Sequence, residues 1–341
     1  MAKLILTTSY AGAGHLSKEC IAQRVIALTH PLVWGAVPEV TDEVDFFIAR
    51  REMAKLADED WAYWDEWEET GGDVERSLLQ PTAIIWSELV SISAHYSSIE
   101  FWIDPTPNAQ LIMIQFLSWF GQHPNLVKKL TLVHADTPLG EGVPNGAAGM
   151  EPRYHVQIDQ LKLATLGWTS FRRSTPEEWF RLLQIDLSVL PYFRQTVLAM
   201  LNELPDARTA LSSTEAALLA LIPANGTNPL NLFRAYMKNT YRVFDYWEIG
   251  LTLARLAGYP QPVVIGPDTR HFTLAMHDNK EQFARYNKCN IALSQLGKRL
   301  AAGQDDLSNH NSICRWWGGT RLSNQSLWRW DAHVERLVYP D

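Results

Sequence analysis

Short apolar runs alternate with helix-compatible stretches through the first third of the chain. Lys3-Leu4-Ile5-Leu6-Thr7-Thr8 is a β-forming run, and Ser9-Tyr10-Ala11-Gly12-Ala13-Gly14-His15 reads as a small-residue loop. Leu16 to Gln23 has helical composition, and Arg24-Val25-Ile26-Ala27-Leu28-Thr29 is a second strand ended by His30-Pro31. Strand, loop, helix, strand is the opening of a parallel α/β sheet. Residues 42–69 are helical in composition and acidic, with Trp61, Trp64 and Trp67 at i, i+3 spacing. That spacing reads as a solvated helix with one aromatic core stripe, a patch for a cationic partner being the sharper alternative. Beyond Gly71-Gly72 the pattern predicts a helix over 78–93 and a strand at Ile99-Glu100-Phe101-Trp102-Ile103. An apolar helix from Ala109 to Phe120 and a strand at Leu130-Thr131-Leu132-Val133, closed by His134-Ala135-Asp136, follow. Residues 137–152 are rich in Gly and Pro and mark a domain boundary near 150.

The pattern then turns mainly helical. Thr175-Pro176-Glu177-Glu178 is a helix start with Thr as cap and Pro at the first helical position. Ser212-Ser213-Thr214-Glu215 ahead of the apolar run 216–222 is a capping signature. Helices near 230–239 and 244–257 lead to Val263-Val264-Ile265, a Gly266-Pro267-Asp268 turn and His271-Phe272-Thr273-Leu274. Three helices and a β-hairpin, about 211–275, have the order of a winged helix. Trp316 to Leu322 and Leu327 to Asp331 read as short paired strands, with tryptophan rings against the core. The expected fold class is therefore α/β: a Rossmann-like parallel domain over 1–150, with strands near 3–8, 25–29, 99–103 and 130–134. A helical domain over 151–341 carries the winged-helix-like element and C-terminal β-strands.

Composition narrows the class. With 46% hydrophobic and 20% charged residues the 341-residue chain is globular rather than disordered. No apolar run approaches the roughly 18 residues of a membrane helix, and no secretory signal opens the chain. Cys20, Cys289 and Cys314 are too few and too scattered for a disulfide framework or a zinc motif, which points to the cytoplasm. Charge is uneven: residues 1–150 carry 9 Lys and Arg against 20 Asp and Glu, residues 151–341 carry 21 against 18. The acidic half argues against a nucleic-acid footprint there, while the second half leaves one open.

These landmarks, taken in order, resemble the bacterial family known as domain of unknown function 1835. Leu6–Leu16 corresponds to that family's opening strand and turn, and Ala27–Pro38 is similar to its tryptophan segment leading into Gly-Pro-Val-Pro. Phe101-Trp102-Ile103-Asp104-Pro105 with Asn108, Gln110 and Leu111 resembles its strand and helix start. Leu190-Pro191-Tyr192, Leu211–Glu215 and Trp317–Asp331, ending in Trp-Arg-Trp-Asp, match its later landmarks. The family's acidic signatures are replaced here, Asn-Gly-Asp-Ser by Ser9-Tyr10-Ala11-Gly12 and Glu-His-Asp by Ile103-Asp104-Pro105. The resemblance implies an architecture and no activity.

Candidate chemistry lies where parallel strands end, since ligands bind at the carboxyl edge of such sheets. Thr8-Ser9 and His15, His30, Asp104, His134 and Asp136 all fall at predicted strand ends. Those residue types suit acid–base or transfer work, with His15, Asp104, His134 and Asp136 as catalytic candidates and Ser9, Gly12, Gly14 and His30 as ligand-binding ones. In this scheme Asp104 pairs with His30 or His134 for proton transfer, Asp136 orients a histidine, Ser9 is a candidate nucleophile, and Gly12–His15 meets an anion. The duller reading is that polar residues end strands because the chain reaches solvent, with Asp104 a helix cap. The glycine loop lacks the dinucleotide and P-loop fingerprints. No metal motif occurs, so His30, His134, Asp104 and Asp136 form a metal site only if their strands adjoin. The residues leave the cofactor unknown.

The expected function is binding of a small polar or anionic metabolite at the sheet's carboxyl rim, with acid–base or transfer chemistry (a transferase or hydrolase) as its extension. The alternative is nucleic-acid binding or a regulatory interaction through the second half. Its predicted third helix, Phe244–Leu256, carries one Arg and two acids, a poor set for reading base edges. A protein partner or a homo-oligomer stays open, and a membrane partner is not expected.

Overall fold

The computed structural model describes residues 2–18, 22–40, 46, 48–53, 83–139, 152–238, 242–266, 272–277 and 279–340. The acidic segment with Trp61, Trp64 and Trp67, Cys20, the 140–151 stretch and the Pro267-Asp268 turn with His271 lie outside the described residues. The fold is mixed α/β and divides into two compact units, Met1–Val197 and Leu198–Asp341. The boundary expected near 150 is thus corrected. Residues beyond it complete the first unit, since the strand 153–155 joins the sheet and the helix 158–171 packs on the helix over 107–120.

In the first unit β1 (Lys3–Thr7), β2 (Arg24–Ala27), β3 (Ser98–Ile103) and β4 (Leu130–His134) pair in parallel, as the apolar pattern predicts. An antiparallel edge strand, β5 (Arg153–His155), completes the order β2-β1-β3-β4-β5. Leu4, Ile5 and Leu6 are all fully buried, as expected for a central parallel strand covered on both faces. On one face Ile5, Val25, Trp102 and Val133 pack with Leu16 of α1 (Tyr10–Lys18). On the other, Phe101 meets Phe116 of the long helix over Pro107–Phe120, ring centroids 4.7 Å apart.

α1 overturns the loop expected over residues 9–15. Ser9 accepts from Gly12 N at 3.0 Å and Ala13 N bonds Ser9 O at 2.9 Å, so a helix-capping serine starts the helix despite two glycines inside it. The strand order reverses at β1, which has β2 on one side and β3 on the other, so the chain leaves β1 and β3 toward opposite faces, α1 on one and the helix over Pro107–Phe120 on the other. The further helices of the first unit are α2 (Ala83–Ala94), α3 (Pro107–Phe120), α4 (Pro124–Val127), α5 (Ile158–Phe171) and α6 (Glu177–Arg181), and α7 (Phe193–Asn202) follows. α6 starts at Glu177 with Pro176 at its cap position, one residue later than the sequence suggests.

The second unit holds α8 (Ser213–Leu221), α9 (Pro229–Tyr236), α10 (Tyr246–Gly258), β6 (Val264–Ile265), α11 (Lys280–Tyr286), β7 (Ala292–Leu293) and α12 (Gln295–Ala301). The Ser212 capping box forms as its sequence implies: Glu215 N donates to Ser212 Oγ and Ser212 N to Glu215 Oε2. The expected hairpin does not form: β6 pairs with β7, while Leu274–His277 is a 3-10 turn. Near the C-terminus β8 (Cys314–Trp317) pairs with β9 (Thr320–Ser323), and β10 (Arg329–Asp331) with β11 (Arg336–Val338). Trp317, Trp328 and Trp330 are buried, and the Trp317 and Trp330 indoles donate to Met200 O at 2.6 Å and Asn202 Oδ1 at 2.9 Å.

Candidate functional site

The carboxyl edge of the parallel sheet gathers the predicted residues, but the pleat sorts them onto two faces, because neighbouring side chains in a strand point oppositely. On the α1 face stand Thr7, Ser9, Gly12 and Asp104. Their common neighbour is Leu139: Ser9 Oγ donates to Leu139 O at 3.5 Å, and Leu139 N donates to Asp104 Oδ2 at 3.2 Å. A Cβ on Gly12 would lie 2.9 Å from Leu139 Cβ and Ser9 Oγ and 3.0 Å from Thr7 Oγ1. Only glycine lets the first turn of α1 approach this closely. Gly14, in contrast, has nothing within 4 Å of an added Cβ and faces away.

Asp104 is buried, and its other oxygen accepts from Thr106 N at 2.9 Å and Thr106 Oγ1 at 2.5 Å. Both carboxylate oxygens therefore fasten loops, the turn into α3 and the segment after β4. His15 is half-buried, its Nε2 enclosed and without a hydrogen-bond partner.

The α3 face holds both buried histidines. His30 Nε2 lies 2.5 Å from Gln115 Oε1, and burial pushes its pKa down to about 4, the Gln115 hydrogen bond opposing and the Arg50 charge assisting. At pH 7 the ring is neutral and Nε2–H is the donor to Gln115. Asn108 holds this loop to α3, accepting from Leu32 N at 2.7 Å and donating to His30 O at 3.2 Å. His134 pairs with Ile103 across the ladder and is 4% exposed; burial alone lowers its pKa to about 4. Neither of its ring nitrogens has a partner, so the proton-transfer pair expected with Asp104 is not made through His134. Asp136 accepts from Tyr192 Oη–H at 2.8 Å rather than orienting a histidine, Tyr192 standing at a positive φ of 64°.

Two residues absent from the sequence-based site, Thr7 and Gln110, belong to the rim beside Thr8, which the sequence already places at a strand end. Thr7 Oγ1, Thr8 Oγ1 and Gln110 Oε1 are buried without a partner, while Gln110 Nε2 donates to Asp104 O at 2.7 Å. Two consecutive threonines ending a central strand were the available signal. Among the described residues the orphaned buried atoms elsewhere are mostly single guanidinium nitrogens of arginines, so whole unsatisfied side chains concentrate at this edge. Among the described residues no group of three or more His, Cys, Asp and Glu side chains is placed to hold a metal ion.

The second unit offers a different picture to the rival reading. α10, the predicted groove reader, buries Ile249, Gly250, Thr252, Leu253, Leu256 and Ala257. Its Arg255 is held by Glu215 at 3.1 Å, Asp245 at its cap is paired with Arg242 at 3.0 Å, and burial pushes the Glu248 pKa up to about 7. That set offers no uncommitted cation to a phosphate.

No family model matches the chain, and no curated protein matches it. Among the described residues no helix is long and apolar enough to cross a membrane.

Proposed function

We infer that the carboxyl rim of the parallel sheet binds a small polar or anionic metabolite. The observation that carries this reading is the set of buried, unpartnered polar groups there: Thr7, Thr8, His15, Gln110 and His134. Each unsatisfied group costs about 1–3 kcal/mol, a cost that a ligand or ordered water making those hydrogen bonds removes. The reversal of strand order at β1 supports the location, since ligands of open parallel sheets bind at such switch points. Neutral His134 offers one donor and one acceptor, which suits an uncharged polar group. An anionic group is met beside Ser9 at the first turn of α1, while His15 stands in the last turn of that helix rather than beside its start.

Acid–base or transfer chemistry on the bound molecule is the second step of this reading. It rests on His15 and His134, with Asp104 as a positioning residue that holds the loops. The strand order also supports a Rossmann-like assignment of the sheet, and the order of landmarks supports kinship with domain of unknown function 1835. In the second unit, three helices followed by β6 and β7, with a Thr227–Ile291 bridge between α8 and α9, support a winged-helix-like element. α10 spends its apolar face on the core of its own unit and carries one arginine, already paired with Glu215, a poor set for base reading.

Native mass spectrometry of the full chain tests the reading. A non-covalent small-molecule adduct carried by the wild type and missing from a Thr8→Val/His134→Leu variant supports it. Equal adduct occupancy in that variant, or no adduct after incubation with a metabolite pool, overturns it.

A further inference from the structure

A separate cavity of about 320 Å³ opens within the second unit. Its floor is apolar: Leu204, Leu211, Leu300 and Trp330 are each at most 2% exposed. The loop after α7, the first turn of α8 and the end of α12 form its walls.

The polar groups around this cavity are unevenly committed. Asp206 Oδ1 accepts from Arg208 N, Thr209 N and Thr209 Oγ1, each at 3.0 Å, which ties most of that carboxylate into its own turn and leaves Oδ2 open. Asn202 Oδ1 accepts from the Trp330 indole, so its remaining capacity is the amide N–H pair. Ser213 Oγ donates to Glu203 at 2.6 Å, and Ser212 Oγ is taken by Glu215 N. Arg208 is exposed, and its guanidinium makes no hydrogen bond or ion pair among the described residues. It reaches across the cavity to within 3.5 Å of where a Cβ on Gly303 would stand. The uncommitted side-chain donors, Arg208 and Asn202, thus converge on a space whose floor is hydrocarbon.

We propose that this cavity is a binding site for a small organic carboxylate with a compact apolar body. The guanidinium fork takes the carboxylate in the bidentate geometry it favours, with the Asn202 amide beside it. The body lies against Leu204, Leu211, Leu300 and Trp330, replacing water on an apolar surface. A cavity of this size is at the lower end of small-molecule sites, which limits the ligand to roughly one ring or a short branched chain. The proposal is independent of the sheet rim, since it uses none of the rim's residues.

Phenylacetate and its neutral isostere phenylacetamide are the probes, titrated into the full chain by calorimetry, with ¹⁵N-labelled amide shifts locating the site. Phenylacetate is expected to bind at least tenfold more tightly than phenylacetamide and to shift Ser213 and Gly303. Arg208→Gln should weaken phenylacetate at least tenfold and leave phenylacetamide unchanged. Ala216→Trp, on the exposed wall of the cavity, should block both. Both substitutions are at exposed positions, so an unchanged melting temperature accompanies these losses. Equal affinity for the two probes, full affinity in Arg208→Gln, or shifts elsewhere in the chain would each overturn the proposal.

Discussion

The sheet rim of the first unit and the buried acids of the second handle the same problem in opposite ways. In the second unit Glu215 is fully buried, yet Arg255 and Arg315 reach it at 3.1 and 3.0 Å and Ser212 N donates to it. Burial opposes its charge, but the two guanidinium groups prevail and hold its carboxyl below the ordinary range. Glu203 beside it is pushed up by burial, with Ser213 and Thr214 donating to it. At the rim, Thr7, Thr8 and His134 are as deeply buried and have no partner at all. A polar group satisfied by its own chain holds the fold, whereas one left open is available to something else. Burial alone does not separate the two roles; the partner list does.

That contrast is most strongly tested by removing a satisfied acid. Glu215→Ala leaves two half-buried arginines without their shared counter-charge, and a loss of about 3 kcal/mol is expected, read as early unfolding of the second unit in urea. A loss under 1 kcal/mol would place Glu215 with the dispensable surface pairs. Acid is the next largest lever, and it acts on the first unit. His30 and His134 fall from 6.5 to about 4 on folding, so the unfolded chain takes up protons first as pH drops. Stability is full above pH 6.5 and is lost toward pH 4, by about 2 kcal/mol per histidine between pH 7 and 5. Melting curves at the two pH values check the sum, and His134→Leu should remove one histidine's share.

The same His134→Leu change at pH 7 sharpens the comparison further. Replacing an unpartnered imidazole by an apolar group of similar size should raise the melting stability of the ligand-free chain by about 1 kcal/mol while abolishing metabolite binding. A structural histidine would lose stability instead. The smallest effect separates the two glycines of α1. Gly14→Ala, with open space around it, should stabilise the helix by up to about 1 kcal/mol with binding intact. Gly12→Ala must displace Leu139 or Ser9 and should lose binding.

Legibility in the sequence follows the range of the interaction involved. The four parallel strands are readable because buried strands are continuous apolar runs, and the Ser212 box because capping is a four-residue affair. Residues 10–15 mislead: two glycines argue for a loop, but the Ser9 cap and the close approach of Leu139, 130 positions from Ser9, favour a helix. The partner of β6 is invisible because β7 is only two residues long. At the rim the residue types are legible, since Ser9, His30, Asp104, His134 and Asp136 do stand at strand ends. Which of them is already engaged is not, for Gln115 on His30 and Tyr192 on Asp136 are 85 and 56 positions distant.

The pairing of β1 with β3 also sets a clock. Lys3 meets Ser98 and Thr7 meets Trp102, so β1 leaves the ribosome with one flank that stays open until some 95 residues later. At about 5–20 residues per second that interval is roughly 5–20 s. During it Leu4-Ile5-Leu6 has, among the described residues, only β2 to pair with, and two strands make a marginal sheet. Yield in a cell should therefore depend on how fast the message is read between β2 and β3, a quantity to which the folded protein, once formed, is blind.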